Sequence, residues 1–208
     1  MHASHILPLA RPTRRALAAV LLAGPALAFL PGASRWITGK AVPVPESDVC
    51  LVAPPTPYDP ASGLPLAAAR PVPAGVRCPV CGMYPARAPN WAAQIIFANG
   101  DAQFFDSPLS LFMYLNNVGR YTPGRSADDI VARYVTDFGS LQMLNATNAF
   151  YVVGSSAHGP MRAGNLPAFA SEQAARAFAA QRGGEVRAFA GIDAALVQRL
   201  GGRATHMH

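Results

Sequence analysis

Lysine is almost missing from this chain of 208 residues: Lys40 stands alone, and every other cationic side chain is arginine apart from the histidines. Charged residues are scarce, at 13%. No Lys/Arg cluster interleaved with aromatics occurs, which argues against nucleic-acid binding. Three cysteines, Cys50, Cys78 and Cys81, are too few for a disulfide framework. A second C-x-x-C is missing, so a structural zinc site would be poorly supplied with ligands. G-x-S-x-G, H-E-x-x-H and a Gly-rich phosphate loop are all absent. Asp106, Asp137 and Asp193 are dispersed, with no histidine placed to form an acid–base pair. These absences remove the common enzyme signatures. Asp106 reads as a helix-start residue.

No apolar run is long enough to cross a bilayer comfortably. The longest candidate, residues 16–30, is interrupted by Pro25. It follows Arg11, Arg14 and Arg15 and contains Ala26-Leu27-Ala28, the pattern of an export signal. The alternative is an uncleaved anchor. A twin-arginine signal is only weakly matched at 13–17. Ser47-Asp48-Val49 before Cys50 does not make a lipobox, so lipidation is not expected. Removing residues 1–28 takes away three arginines and no acids. That leaves 14 basic against 11 acidic residues, a net charge of +3. Export would put the cysteines in an oxidising compartment.

Residues 41–77 hold nine of the 20 prolines. Their sequence predicts an extended, semi-rigid arm. It serves as a spacer, or it wraps the domain with Leu51, Val52, Tyr58 and Leu66. The expected organisation is a leader or anchor over 1–30, an arm over 31–76, a folded domain over 77–203 and a loose tail over 204–208. Within the domain, 91–98 and 101–105 read as strands joined at Asn99-Gly100, a strong hairpin signal. Ser107 is placed to cap a helix with Pro108 at its first position. Leu109, Phe112, Met113 and Asn116 would share its inner face, and Gly119 would stop it. Further strands are expected at 133–136, 149–153, 166–170 and 185–189. Ser171 would cap a second helix with Ala174, Ala175, Phe178 and Ala179 inward, ending at Gly183-Gly184, and Asp193 would open a third running to 201. The series Phe104-Phe105-Asp106-Ser107-Pro108 is echoed by Ala168-Phe169-Ala170-Ser171-Glu172. The expected fold is therefore α+β, built of two related strand–strand–helix halves.

What the chain does have is sulfur in one place: Cys78-Pro79-Val80-Cys81-Gly82-Met83. Thiolate with thioether is a soft donor set, and soft donors favour Cu(I) over harder divalent ions. Gly82 allows the backbone to fold so that the Cys81 and Met83 sulfurs can converge. Cys78-x-x-Cys81 is open to three readings: part of a copper site, half of a zinc site, or a redox pair. A thioredoxin-like pair needs a helix N-terminus, and Pro85 and Pro89 disfavour a helix here. That leaves an exported thiol–disulfide oxidoreductase as the alternative function. His158 and Met161, in a turn-rich loop, could complete a sulfur–nitrogen site. Met113 offers a further thioether but reads as core, and Met143 carries no ligand signal. His206-Met207-His208 could hold copper loosely at the C-terminus.

Several ordered motifs together resemble the NosL family. They are Arg77-Cys78-Pro79-Val80-Cys81-Gly82-Met83-Tyr84, Phe104-Phe105-Asp106-Ser107, Tyr134-Val135-Thr136-Asp137-Phe138, the stretch 149–155, Gly159-Pro160-Met161, Pro167-Ala168-Phe169, Ala175-Arg176-Ala177-Phe178 and Gly183-Gly184. The resemblance covers about residues 77–192. It implies a periplasmic Cu(I) chaperone for the maturation of nitrous oxide reductase. The apo-enzyme and an ABC-type membrane complex are the implied partners. It also implies two ββα-type halves similar to the organomercurial lyase core. The family's C-x-M ligands fall on Cys81 and Met83. Candidates for a third ligand are His158, Met161 and Met113, in that order. Family members are often lipoproteins, and the missing lipobox is a departure from that pattern.

Overall fold

The computed structural model describes residues 53–162 and 164–202. Cys50, the leader and the C-terminal His206-Met207-His208 lie outside the described residues. The element order is β1 (Ala93–Phe97), β2 (Ala102–Phe105), α1 (Pro108–Asn116), α2 (Val118–Tyr121), β3 (Ile130–Thr136), β4 (Met143–Asn145), β5 (Phe150–Val153), β6 (Ala168–Phe169), α3 (Glu172–Arg182), β7 (Glu185–Ala188) and α4 (Ala194–Gly202). The fold is α+β, as the sequence predicts.

Two antiparallel sheets are present, in the orders β2-β1-β3-β4 and β6-β5-β7. In both, the second strand lies beside the first and a helix precedes the strand that pairs on the first strand's other edge. A parallel bridge between Asp137 and Ala168 joins the sheets. Asp137 also binds the chain there: its carboxylate accepts from the backbone N–H groups of Gly139, Ser140 and Ala170 at 3.0, 2.7 and 2.7 Å.

β1 is buried on both faces, so the alternation expected of a half-exposed strand is lost. One face joins the main core with Phe105, Leu109, Leu111, Tyr114, Val135 and Tyr151. Val72 and Val76 of the Pro-rich segment pack against Ile96, Ala102 and Phe104 on the other. Proline-rich chain has few N–H groups for a ladder. Thr56 makes one antiparallel backbone bridge to Ala102, and buried glutamines supply further pairing. The Gln94 amide accepts from Arg70 N–H at 2.7 Å and donates to Arg70 C=O at 2.8 Å, and Gln103 donates to Ala53 C=O at 2.9 Å. The Arg70 guanidinium lies over the Tyr58 ring and donates to four carbonyls. Residues 53–76 thus lie against the sheet, the second of the two possibilities open for the arm.

Both helix caps form as expected, with Ser107 and Ser171 accepting from the backbone of Ser110 and Ala174. Some local expectations are corrected. Gly119 does not stop α1: Asn117 ends it and at once caps α2, which contains Gly119. Asn116 and Ala174 are exposed, because each helix buries a narrower face than its periodicity suggests. Asp106 stands at the start of α1 as expected, directly before the Ser107 cap.

Candidate metal centre

Cys78–Met83 folds into a tight knuckle before β1. Gly82 N–H donates to Cys78 C=O and Cys78 N–H donates to Met83 C=O, both at 2.8 Å. Gly82 has φ +73°, with nothing within 4 Å of where a Cβ would lie. Glycine is therefore favoured by backbone conformation, not by lack of space. Cys78 and Val80 anchor the knuckle in the main core. Arg77 Nη1 donates to Gly82 C=O at 3.0 Å, and the Tyr84 ring is stacked by the guanidinium groups of Arg77 and Arg87 at 4.4 and 4.5 Å.

Both cysteines are free thiols. Cys78 is fully buried, Cys81 is half-buried, and Met83 is 39% exposed at the outer end of the loop. The β2–α1 junction delivers a third group. Ligand atoms of Cys78, Cys81 and Asp106 all lie within 4.8 Å of one another. Asp106 is fully buried, and neither carboxylate oxygen has a hydrogen-bond partner among the described residues. A buried carboxylate without partners is costly, so native proteins seldom keep one without a compensating cation.

The electrostatics agree with that geometry. The Cys81 thiol is pushed far above its usual range by its hydrogen bond with Cys78, by burial, and by the charges of Cys78 and Asp106. The backbone N–H of Met83 acts in the opposite direction. A neighbouring thiol and carboxylate thus oppose ionisation of Cys81. A cation entering among them relieves that opposition. A nucleophilic redox thiol needs the reverse, a depressed pKa, and usually a helix N-terminus. Here the chain continues into a short 3-10 turn at Pro85–Arg87 instead.

The remaining histidine and methionines lie in different settings. Met161 reaches the first turn of α1, where Ser110 Oγ donates to its sulfur at 3.8 Å. His158 is exposed in the same loop, next to Gly159, which lies against Trp91. Met113 is half-buried between α1 and α4, its sulfur against Gly201. Met143 accepts weak hydrogen bonds from Gln94 and Thr136. Sequence patterning missed Asp106 as a partner of the thiols. The available signal was a carboxylate set between Phe105 and a serine that already caps the helix.

The NosL family model matches residues 70–197. The copper-binding lipoprotein NosL of Stutzerimonas stutzeri is 36% identical over 124 residues, 58% of this chain and 64% of that protein. The chain therefore spans less than two thirds of that relative's length. The crystal structure of the copper chaperone NosL from Shewanella denitrificans aligns with a TM-score of 0.53 and 24% identity, covering 63% of this chain and 99% of that one. A solution structure of apo-NosL from Achromobacter cycloclastes is 32% identical, covers 50% of this chain and 87% of that one, and has a TM-score of 0.38. With the family model spanning most of the described residues, this chain belongs to the NosL family.

Proposed function

We propose that the protein is an exported Cu(I) carrier that acts in the periplasm and delivers copper during maturation of nitrous oxide reductase. The observation that carries the reading is the knuckle itself. It brings two reduced thiols together below an exposed thioether, in a member of a family whose named relatives bind copper. Cys81 and Met83 hold the ion, with Cys78 beneath them and Met161, His158 or Met113 as further donors. Copper is the cargo, and there is no catalytic turnover. A shell of few ligands leaves a coordination position for a receiving protein, so the ion can pass by associative exchange. The apo-reductase and an ABC-type membrane complex are the proposed partners, and the N-terminal segment is the means of any membrane attachment.

Anaerobic Cu(I) titration against a competing chelator tests the assignment. Reduced protein should bind one Cu(I), and Cys81→Ser should lower the affinity by at least a hundredfold. Equal stoichiometry and affinity in the variant would end the proposal. The oxidoreductase alternative predicts equal damage from Cys78→Ala and Cys81→Ala and none from Met83→Leu.

A further inference from the structure

Arg87 carries a guanidinium that is held in place and given nothing to bind. Pro85 is buried, and Arg87 N–H donates to Tyr84 C=O at 3.1 Å, closing the short turn that follows the knuckle. The Arg87 guanidinium then lies over the Tyr84 ring at 4.5 Å. That of Arg77 lies over the same ring at 4.4 Å and spends one N–H on Gly82 C=O. The Arg87 side chain donates no hydrogen bond among the described residues, and neither arginine has a carboxylate partner there. Both are exposed. Two like charges gathered on one ring repel, and each is a planar fork of donors suited to carboxylate oxygens.

A strained apolar residue lies beside this pair. Leu141 has φ +63°, in the left-handed region that disfavours a branched side chain, yet it is 54% exposed. It lines a groove of about 570 Å³ with Ala86, Pro89, Val72 and Met143, and Ala86 adjoins Arg87 in the chain. Asp137, at the base of the Leu141 turn, spends its carboxylate on the backbone N–H groups of Gly139, Ser140 and Ala170. It is not available to Arg87. Tyrosine and arginine are the residues that most often anchor protein–protein contacts. Two arginines are too few for an anionic lipid surface, which calls for clusters of about four to eight. We infer that Arg77, Tyr84, Arg87 and Leu141 form the docking face for a protein whose contact surface is acidic around an apolar side chain. Docking there brings the partner to Met83, exposed next to Tyr84. The inference rests on the carrier reading, and these four residues position the partner without holding the ion.

The test uses the full, reduced chain, with apo nitrous oxide reductase and the ABC-type membrane complex in nanodiscs as the two probes. Arg87→Glu should weaken binding to one of them roughly tenfold at about 50 mM salt, and the loss should shrink at about 500 mM as the charges are screened. Arg87→Lys should recover most of it. Leu141→Asn should weaken the same binding roughly threefold while Tm holds or rises, because asparagine accepts the left-handed backbone. Cu(I) affinity by chelator competition should stay unchanged in all three variants. Unchanged binding of Arg87→Glu to both probes would overturn the inference. So would an equal loss on empty phosphatidylglycerol nanodiscs, which would make the face a lipid contact. Cu(I) binding without docking that depends on Arg87 sinks only this inference. A wild type that binds no Cu(I) sinks the carrier reading, while docking that still depends on Arg87 upholds the face.

Discussion

Replacing Asp106 by asparagine should stabilise the reduced, metal-free protein. Asp106 is fully buried and both its oxygens lack partners among the described residues. A buried polar group left unsatisfied costs about 1–3 kcal/mol, and a charged one more. Asparagine keeps the shape and removes the charge, while its amide N–H can donate to a neighbouring sulfur. The expected net gain is about 1–3 kcal/mol. At about 2–4 °C per kcal/mol for a domain of this size, a 2 kcal/mol gain raises Tm by about 4–8 °C. Thermal unfolding of the two reduced proteins by circular dichroism measures the gain. If the reduced variant were less stable than the wild type by 1 kcal/mol or more, Asp106 would be a structural residue with partners in solution, and the argument for a cation would fail.

Two further expectations use other residues. Met83→Leu should weaken Cu(I) at least tenfold in chelator competition while changing unfolding free energy by under about 0.5 kcal/mol, because the side chain is 39% exposed; a large stability loss with intact copper affinity would reverse its role. Burial pushes the Asp137 carboxyl upward, but its hydrogen bonds from Ser140, Ala170 and Gly139 prevail and hold it below the usual 3.8. A depressed folded value stabilises the protein above the unfolded carboxylate pKa and is lost as pH falls through the folded value. Asp137→Ala should therefore cost about 2–4 kcal/mol at pH 7 by urea unfolding, with the gap closing as pH drops below about 4; a gap independent of pH would mean that charge plays no part.

Local signals were legible where one residue type decides the geometry. Asn99-Gly100 turns β1 into β2, Ser107 with Pro108 starts α1, and Ser171 starts α3. The strands expected at 149–153 and 185–189 appear as Phe150–Val153 and Glu185–Ala188. What was not legible depends on distant chain. β4 is only three residues long and exists because it pairs with β3. Glutamines at 94 and 103 look like surface residues in the sequence. They are buried because the Pro-rich segment covers them and takes its hydrogen bonds from their amides. Cys78 and Cys81 were visible through their spacing, but Asp106 is more than twenty residues away, and only the fold brings it to them.

The two halves provide an internal control for that third residue. Each helix opens on a serine whose oxygen accepts from the backbone three residues on, so the cap is the same in both. The residue before it is Asp106 in the first half and Ala170 in the second. Helix initiation plainly tolerates alanine at this point, and capping gives no reason for a carboxylate. A negative group near a helix N-terminus gains about 0.3–1 kcal/mol from the helix dipole, less than the cost of burying it unpaired. The second half also has no thiols, since no cysteine follows Cys81 in the sequence. Carboxylate and thiols thus occur together in one half and are missing together from the other. The shared architecture does not need them, which supports the proposed role of this half in holding a cation.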